Sequence, residues 1–92
     1  VISVWANIMP AACHRMVTDY LEGRREQALK AQLKYLDLIN GLFMEVNPIP
    51  VKEAMNLMGM DVGGYRLPLC PMSSEHREKL AGIMRQAGLD VK

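Results

Sequence analysis

The sequence predicts a mainly α-helical chain that opens with one short β-strand. Residues 1–4 form an apolar run rich in β-branched side chains, which is typical of a buried strand. Four later stretches repeat apolar residues every three or four positions, as amphipathic helices do, and glycines or prolines separate them. Because half of the 92 residues are hydrophobic and no stretch is of low complexity, we expect a folded chain.

The charge and cysteine content narrow the classes of partner. Eleven basic and ten acidic residues give a net charge of +1, which favours neither nucleic acid nor an anionic membrane as partner. No apolar run approaches the roughly 20 residues that span a bilayer, and no basic segment precedes Val1 as in a signal peptide. Cys13 and Cys70 have no C-x-x-C spacing, which favours reduced thiols over a disulfide between them. We therefore expect a cytoplasmic protein.

The opening strand is expected over residues 1–4, followed by Trp5–Asn7 as a short connection, and it has no evident partner in the sequence. A lone buried strand would leave its backbone donors and acceptors unpaired, which protein interiors do not tolerate. No other segment reads as a confident strand. We therefore expect this chain to be a fragment of a longer protein whose other strands lie upstream.

Four helices are expected after the strand. The first begins between Asn7 and Pro10 and ends at Glu22, and the second runs from Arg24 or Arg25 to Phe43 or Met44. The third runs from Pro50 to Met58, and the fourth from a Ser73 or Ser74 cap to Ala87. In the second helix, an apolar stripe that steps by three and four predicts the buried face: Leu29, Leu33, Leu36, Ile39 and Phe43, flanked by Ala28, Leu38 and Leu42. Residues 60–72, which contain Pro68 and Pro71, predict an irregular, extended crossing.

The stretch Glu45–Ala54, which we call the elbow, predicts a stiff connection between the second and third helices. Pro48 and Pro50 each fix their own φ, remove a backbone donor and push the preceding residue toward extended geometry. A helix cannot run through both of them, whereas Pro50 suits the first turn of the next helix.

No catalytic or metal-binding set is evident. The glycines do not form a phosphate loop, and His14 and His76 lie far apart without a nucleophile motif. The neighbours Cys13 and His14 would point about 100° apart on a helix, and no further ligands accompany them. The side chains of Lys30, Lys34, Lys52 and Lys79 fall on outer helix faces, whereas a Schiff-base lysine needs burial or a cationic neighbour. We expect no catalytic residue, metal or cofactor in this chain.

Several motifs nevertheless carry a specific resemblance. In order, they are Val1-Ile2-Ser3-Val4, Asn47-Pro48-x-Pro50-Val51-Lys52, Gly59-Met60-Asp61-Val62-Gly63, Arg66-Leu67-Pro68-Leu69-Cys70-Pro71 and Ala87-Gly88-Leu89. With these motifs in this order and spacing, the chain resembles the C-terminal third of the dihydrodipicolinate synthase (4-hydroxy-tetrahydrodipicolinate synthase) family of pyruvate-dependent class I aldolases. The resemblance covers essentially all 92 residues. The residues that carry it at the two proline motifs are Asn47, Pro48, Pro50, Lys52, Arg66, Pro68 and Pro71.

The resemblance implies a (β/α)8 TIM barrel with a C-terminal helical extension, assembled as a homotetramer. Residues 1–23 would be the last barrel strand and helix, and residues 24–92 a three-helix domain. The parent lyase joins pyruvate, held as a Schiff base on a lysine, to aspartate semialdehyde in lysine and diaminopimelate biosynthesis. That lysine lies upstream in the family, so this chain alone is expected to be inactive, with a scaffold and oligomerisation role.

One site residue is implied for this chain. The resemblance places Ile2 at the pyruvate site through its backbone, and a packed side chain of the barrel core fits the same position. The expected partners are the missing N-terminal part of the barrel and further copies of the chain. Two alternatives stay open, namely the C-terminal part of a sister aldolase such as N-acetylneuraminate lyase and a stand-alone helical interaction module.

Overall fold

The computed structural model describes all 92 residues and is built from helices alone. A 3₁₀ helix, Trp5–Asn7, precedes four α-helices: α1 (Pro10–Leu21), α2 (Arg25–Gly41), α3 (Ile49–Leu57) and α4 (Ser74–Gln86). The four predicted helices are confirmed, although α2 ends at Gly41, ahead of the predicted Phe43 or Met44. None of them combines the length and the apolar character that crossing a membrane would require.

Local residues explain where the helices begin and end. Pro10 occupies the start of α1, where its missing N–H costs no hydrogen bond. Of the two predicted caps, Ser73 is the N-cap of α4, and its Oγ accepts the backbone N–H of His76 at 3.3 Å. After α1, Gly23 adopts a φ of 89°, a left-handed conformation that residues with a Cβ atom avoid.

The strand predicted over residues 1–4 is absent from the structure. Residues 1–4 have no regular structure, the side chains of Val1 and Ile2 are exposed, and Trp5–Asn7 turn into the 3₁₀ helix. A strand is held by ladder hydrogen bonds to a neighbour, and this chain supplies none.

The core lies around α3, five of whose nine residues are buried. Side chains of α2 and α4 close over it, and Leu42, Leu80 and Met84 have no exposed surface. A Cβ atom on Gly41 would lie 3.3 Å from Ile83 Cδ1, so this glycine allows α2 to approach α4 closely. The full cluster is Trp5, Ile8, Cys13, Leu38, Leu42, Ile49, Val51, Ala54, Leu57, Met72, Leu80, Ala81 and Met84.

The predicted buried face of α2 is largely wrong, because Ile39 is the only one of its five residues that packs against the core. Leu29, Leu33 and Phe43 are each more than half exposed, whereas Leu38 and Leu42 lie in the core. The error has a physical cause, because α2 carries two apolar faces and the neighbouring helices cover only one of them. The other face is open to solvent.

Candidate functional site

The polar side chains of the elbow and α3 converge on the crossing (residues 60–72) and on the start of α4. They join segments that lie far apart in the sequence. We call this set of contacts the clamp and define it by Glu45, Lys52, Glu53, Asn56, Tyr65, Ser73, His76 and Arg77.

Glu45 ties the elbow to the N-terminus of α4. Its Oε2 lies 2.7 Å from Nδ1 of His76 and accepts the backbone N–H of Ser73 at 3.3 Å. The first turn of a helix also presents unpaired N–H groups and a partial positive charge, which favour a carboxylate there. The pKa of Glu45 is lowered from its ordinary value, mainly by the hydrogen bond to His76.

Glu53, on α3, receives two donors from different segments. Its Oε2 accepts the hydroxyl of Tyr65 at 3.1 Å, and its Oε1 accepts Nε of Arg77. The Glu53 side chain is only 12% exposed, so these donors replace the water that it loses. Burial, together with the neighbouring carboxylate of Glu53, raises the pKa of Tyr65 to about 12. The phenol is therefore a neutral donor at physiological pH.

Lys52 and Asn56 hold the first half of the crossing. Nζ of Lys52 donates to the carbonyl of Gly64 and lies 5.2 Å from the ring centroid of Tyr65. Asn56 donates through Nδ2 to the carbonyl of Gly63 at 3.2 Å and accepts the N–H of Val62 through Oδ1 at 2.8 Å. Lys52 thus lies on the outer face of its helix, as the sequence indicated, with its amine turned to the crossing.

This arrangement supports structure and does not provide a nucleophile with a general base. Each carboxylate and each cation of the clamp is paired with a group on another segment. Cys13 is buried and Cys70 exposed, and both are unpaired thiols. No group of three His, Cys, Asp or Glu side chains is close enough to hold a metal ion.

The residues that the sequence analysis named differ in how far the structure buries them. Pro50 is buried in the core, Pro48 and Lys52 are half-buried, and Asn47, Arg66, Pro68 and Pro71 are exposed. The peptide bonds Asn47–Pro48 and Leu67–Pro68 are cis. Ile2 stands apart from the clamp with its side chain fully exposed.

Sequence reasoning missed most of the clamp. Glu45 and His76 are 31 positions apart, and Glu53 and Arg77 are 24 apart, so no local periodicity links them. The available signal was weak. It consisted of two acidic residues in a proline-rich elbow and a histidine just after a helix cap.

A second feature is an apolar groove between α1 and α2. It encloses about 420 Å³ and is open on one side. Its apolar lining comes from both helices: Met16, Val17, Tyr20, Leu21, Ala28 and Leu29. Nothing within this chain covers it.

Known proteins share this sequence and fold. The model of the dihydrodipicolinate synthetase family matches residues 1–87. The 4-hydroxy-tetrahydrodipicolinate synthase of Caldicellulosiruptor bescii is 52% identical over 92 residues, which are 100% of this chain and 31% of that protein. The dihydrodipicolinate synthase of Aquifex aeolicus superposes with a TM-score of 0.94 at 39% identity, covering 100% of this chain and 31% of that one.

A third relative was solved with a ligand. The dihydrodipicolinate synthase of Acinetobacter baumannii, crystallised in complex with pyruvate, has a TM-score of 0.90 at 41% identity, with 96% of this chain and 30% of that one covered. This chain therefore spans about three-tenths of the length of the relatives that it matches. The match over nearly all its residues confirms the resemblance, and the chain belongs to the dihydrodipicolinate synthetase family.

Proposed function

We propose that this chain is the C-terminal third of a 4-hydroxy-tetrahydrodipicolinate synthase and serves as scaffold for chemistry performed elsewhere in the enzyme. The parent lyase would condense pyruvate with aspartate semialdehyde in lysine and diaminopimelate biosynthesis. The observation that carries this proposal is the family match over residues 1–87, combined with coverage of only about three-tenths of each relative.

In this proposal, residues 1–23 complete the barrel and residues 24–92 form the helical domain behind it. The clamp supports that division, because every contact in it joins elements within residues 24–92. It fixes the angle between α3 and α4, and the elbow fixes the angle between α2 and α3. The parent would be a homotetramer located in the cytoplasm, and the two unpaired thiols are compatible with a reducing compartment.

Ile2 is the residue that we propose to meet pyruvate, through its backbone. Its side chain is exposed, and its backbone N–H and C=O make no hydrogen bond within this chain. These groups are free to join a ladder with a neighbouring barrel strand, which would convert residues 1–4 into the strand that the sequence predicts.

No lysine of this chain is placed to form the Schiff base. Lys30, Lys34, Lys79 and Lys92 are exposed, and Nζ of Lys52 donates to the carbonyl of Gly64. We therefore expect that pyruvate and borohydride leave no covalent adduct on this chain alone, as read by mass spectrometry. An adduct on any of these lysines would contradict the scaffold role.

A complementation experiment tests the assignment itself. The upstream part of the Caldicellulosiruptor bescii relative is co-expressed with this chain and treated with pyruvate and borohydride. We expect the two pieces to associate and the upstream part to be trapped more efficiently than when it is alone. Ile2→Pro, which removes a backbone donor, should weaken that gain, whereas the matched control Ile2→Val should preserve it. No association, or no gain in trapping, would overturn the proposal.

The alternatives receive no comparable support. The relatives described above are all named as synthases of this one family, and none as N-acetylneuraminate lyase. An isolated interaction module would not be expected to match residues 1–87 of an enzyme family model.

A further inference from the structure

One side of the α1–α2 pair carries a concentration of positive charge. Arg15 of α1 and Lys30 and Lys34 of α2 line a second groove of about 330 Å³, which we call the basic groove. Because successive residues of an α-helix are rotated by about 100°, Leu29 of the apolar groove lies at least about 100° around α2 from either lysine. The apolar groove and the basic groove therefore open on different sides of the helix pair.

The three cations of the basic groove are not neutralised within this chain. None of them forms an ion pair. The one acid in the lining, Asp19, is bonded to Arg24 at 2.7 Å. Glu26 and Asp37 lie about one helical turn from the two lysines, but they form no ion pair and do not line the groove. A concave surface with an excess of one sign of charge attracts small counter-ions.

The floor of the basic groove is apolar. Half-buried side chains from both helices form it: Ala12, Met16, Ala31 and Tyr35. The ring of Tyr35 packs against that of Trp5, with 5.2 Å between the ring centroids. Nζ of Lys34 lies 5.2 Å from the Tyr35 centroid, so a positive charge stands directly beside the apolar floor. A ligand in this groove would meet cations and apolar atoms together.

This combination selects one ligand chemistry. A phosphate monoester carries a charge of about −1.5 to −2 at pH 7 and offers three acceptor oxygens, enough for donors from both helices. Guanidinium and ammonium groups are the usual protein donors to phosphate. The apolar floor favours an ester with an organic body over free phosphate. A volume of about 330 Å³ lies at the lower end of the range for small-molecule sites.

We propose that the basic groove binds a small organic phosphate monoester. The phosphate group lies between Arg15 on one helix and the two lysines on the other, and the organic part rests on the apolar floor. The basic groove does not include Ile2, so its test is independent of the enzymatic assignment.

Heteronuclear NMR of the isotope-labelled chain, titrated with phenyl phosphate at constant ionic strength, tests this site. We expect saturable shifts of backbone amides confined to residues 12–19 and 27–35, with a dissociation constant of about 1 mM or lower. Inorganic phosphate, which lacks the ring, should bind at least about threefold more weakly. Benzyl alcohol, which lacks the charge, should give no saturable shift there. Equal affinity for phenyl phosphate and inorganic phosphate, or shifts that do not saturate, would overturn the proposal.

Charge removal separates a defined site from general attraction to a basic surface. Lys34→Gln should weaken the binding of phenyl phosphate by about threefold, and the double variant Lys30→Gln/Lys34→Gln by about tenfold or more. Lys79→Gln is the matched control, because Lys79 is an exposed lysine of α4 outside the groove. It should leave the dissociation constant unchanged. Circular dichroism checks that each variant retains its helices. An equal loss in Lys79→Gln, or full affinity in the double variant, would contradict a site in the basic groove.

Discussion

The two ends of this molecule contain similar side chains but bury them very differently. Five of the nine residues of α3 are buried, against one of the twelve residues of α1. Yet α1 is not polar, and its Tyr20 and Leu21 are 59% and 77% exposed. Hydrophobic content alone therefore does not decide which helix belongs to a core. What decides is whether a partner is present within the chain.

The partners of the charged side chains also differ between the two ends. At the α3–α4 end, Glu45 and Glu53 reach partners on other elements and fix the tertiary arrangement. At the α1 end, Arg24 bonds to Asp19 and Glu22, both at 2.7 Å and both within five positions of it. Those bonds stabilise only the turn between α1 and α2. The α3–α4 end is thus closed by its own residues, and the α1–α2 end is open.

The largest difference between the ends should appear on deleting a buried side chain. Leu80 of α4 has no exposed surface, so Leu80→Ala should lower the free energy of unfolding by about 2–5 kcal/mol. Leu21→Ala removes the same atoms at the open end and should change it by less than about 0.5 kcal/mol. Urea unfolding followed by circular dichroism measures both. Equal losses would show that α1 is as well packed as α4.

Replacing a carboxylate at each end should give a smaller difference in the free energy of unfolding. Glu53→Gln should lower the free energy of unfolding by about 1–2 kcal/mol, because two donors lose a charged acceptor and Arg77 is partly screened by solvent. Glu22→Gln is the matched change at the open end, where its partner is solvated, and no measurable loss is expected. If Glu53→Gln proved as neutral as Glu22→Gln, the clamp would not stabilise the fold.

The smallest effect is expected in the dependence of stability on acidic pH. Because the pKa of Glu45 is lowered below 4.5 in the folded chain, its contribution to stability is present above that pH. It is lost as the pH falls through the lowered value. Glu45→Gln should therefore flatten the acid side of the stability profile, as measured by urea midpoints at successive pH values. An unchanged profile would show that the hydrogen bond between Glu45 and His76 does not determine the acid side of the stability profile.

The contrast between the ends also separates what the sequence could predict from what it could not. The limits of α1 and α4 follow from Pro10, Gly23 and Ser73, which act within one helical turn and need no tertiary partner. The elbow follows from Pro48 and Pro50 in the same way. Features of this kind are decided by a few neighbouring residues.

Features that depend on distant partners were missed. Periodicity pointed to Leu33 as buried, but it cannot tell which of two apolar faces the rest of the chain covers. The strand predicted around Ile2 is absent because a β-strand needs hydrogen bonds to a neighbouring strand, and this chain supplies no such neighbour. The partners of Glu45 and Glu53 lie on other elements, and no local pattern encodes such contacts.

Hydrogen–deuterium exchange of this chain, at a concentration where it is monomeric, tests the central contrast most directly. We expect amides within α3 and α4 to exchange at least about tenfold more slowly than those within α1, because opening the closed end requires disrupting the core. Mass spectrometry of peptides covering residues 10–21, 49–57 and 74–86 provides the comparison. Equal protection of α1 and α3 would contradict the account of one closed and one open end.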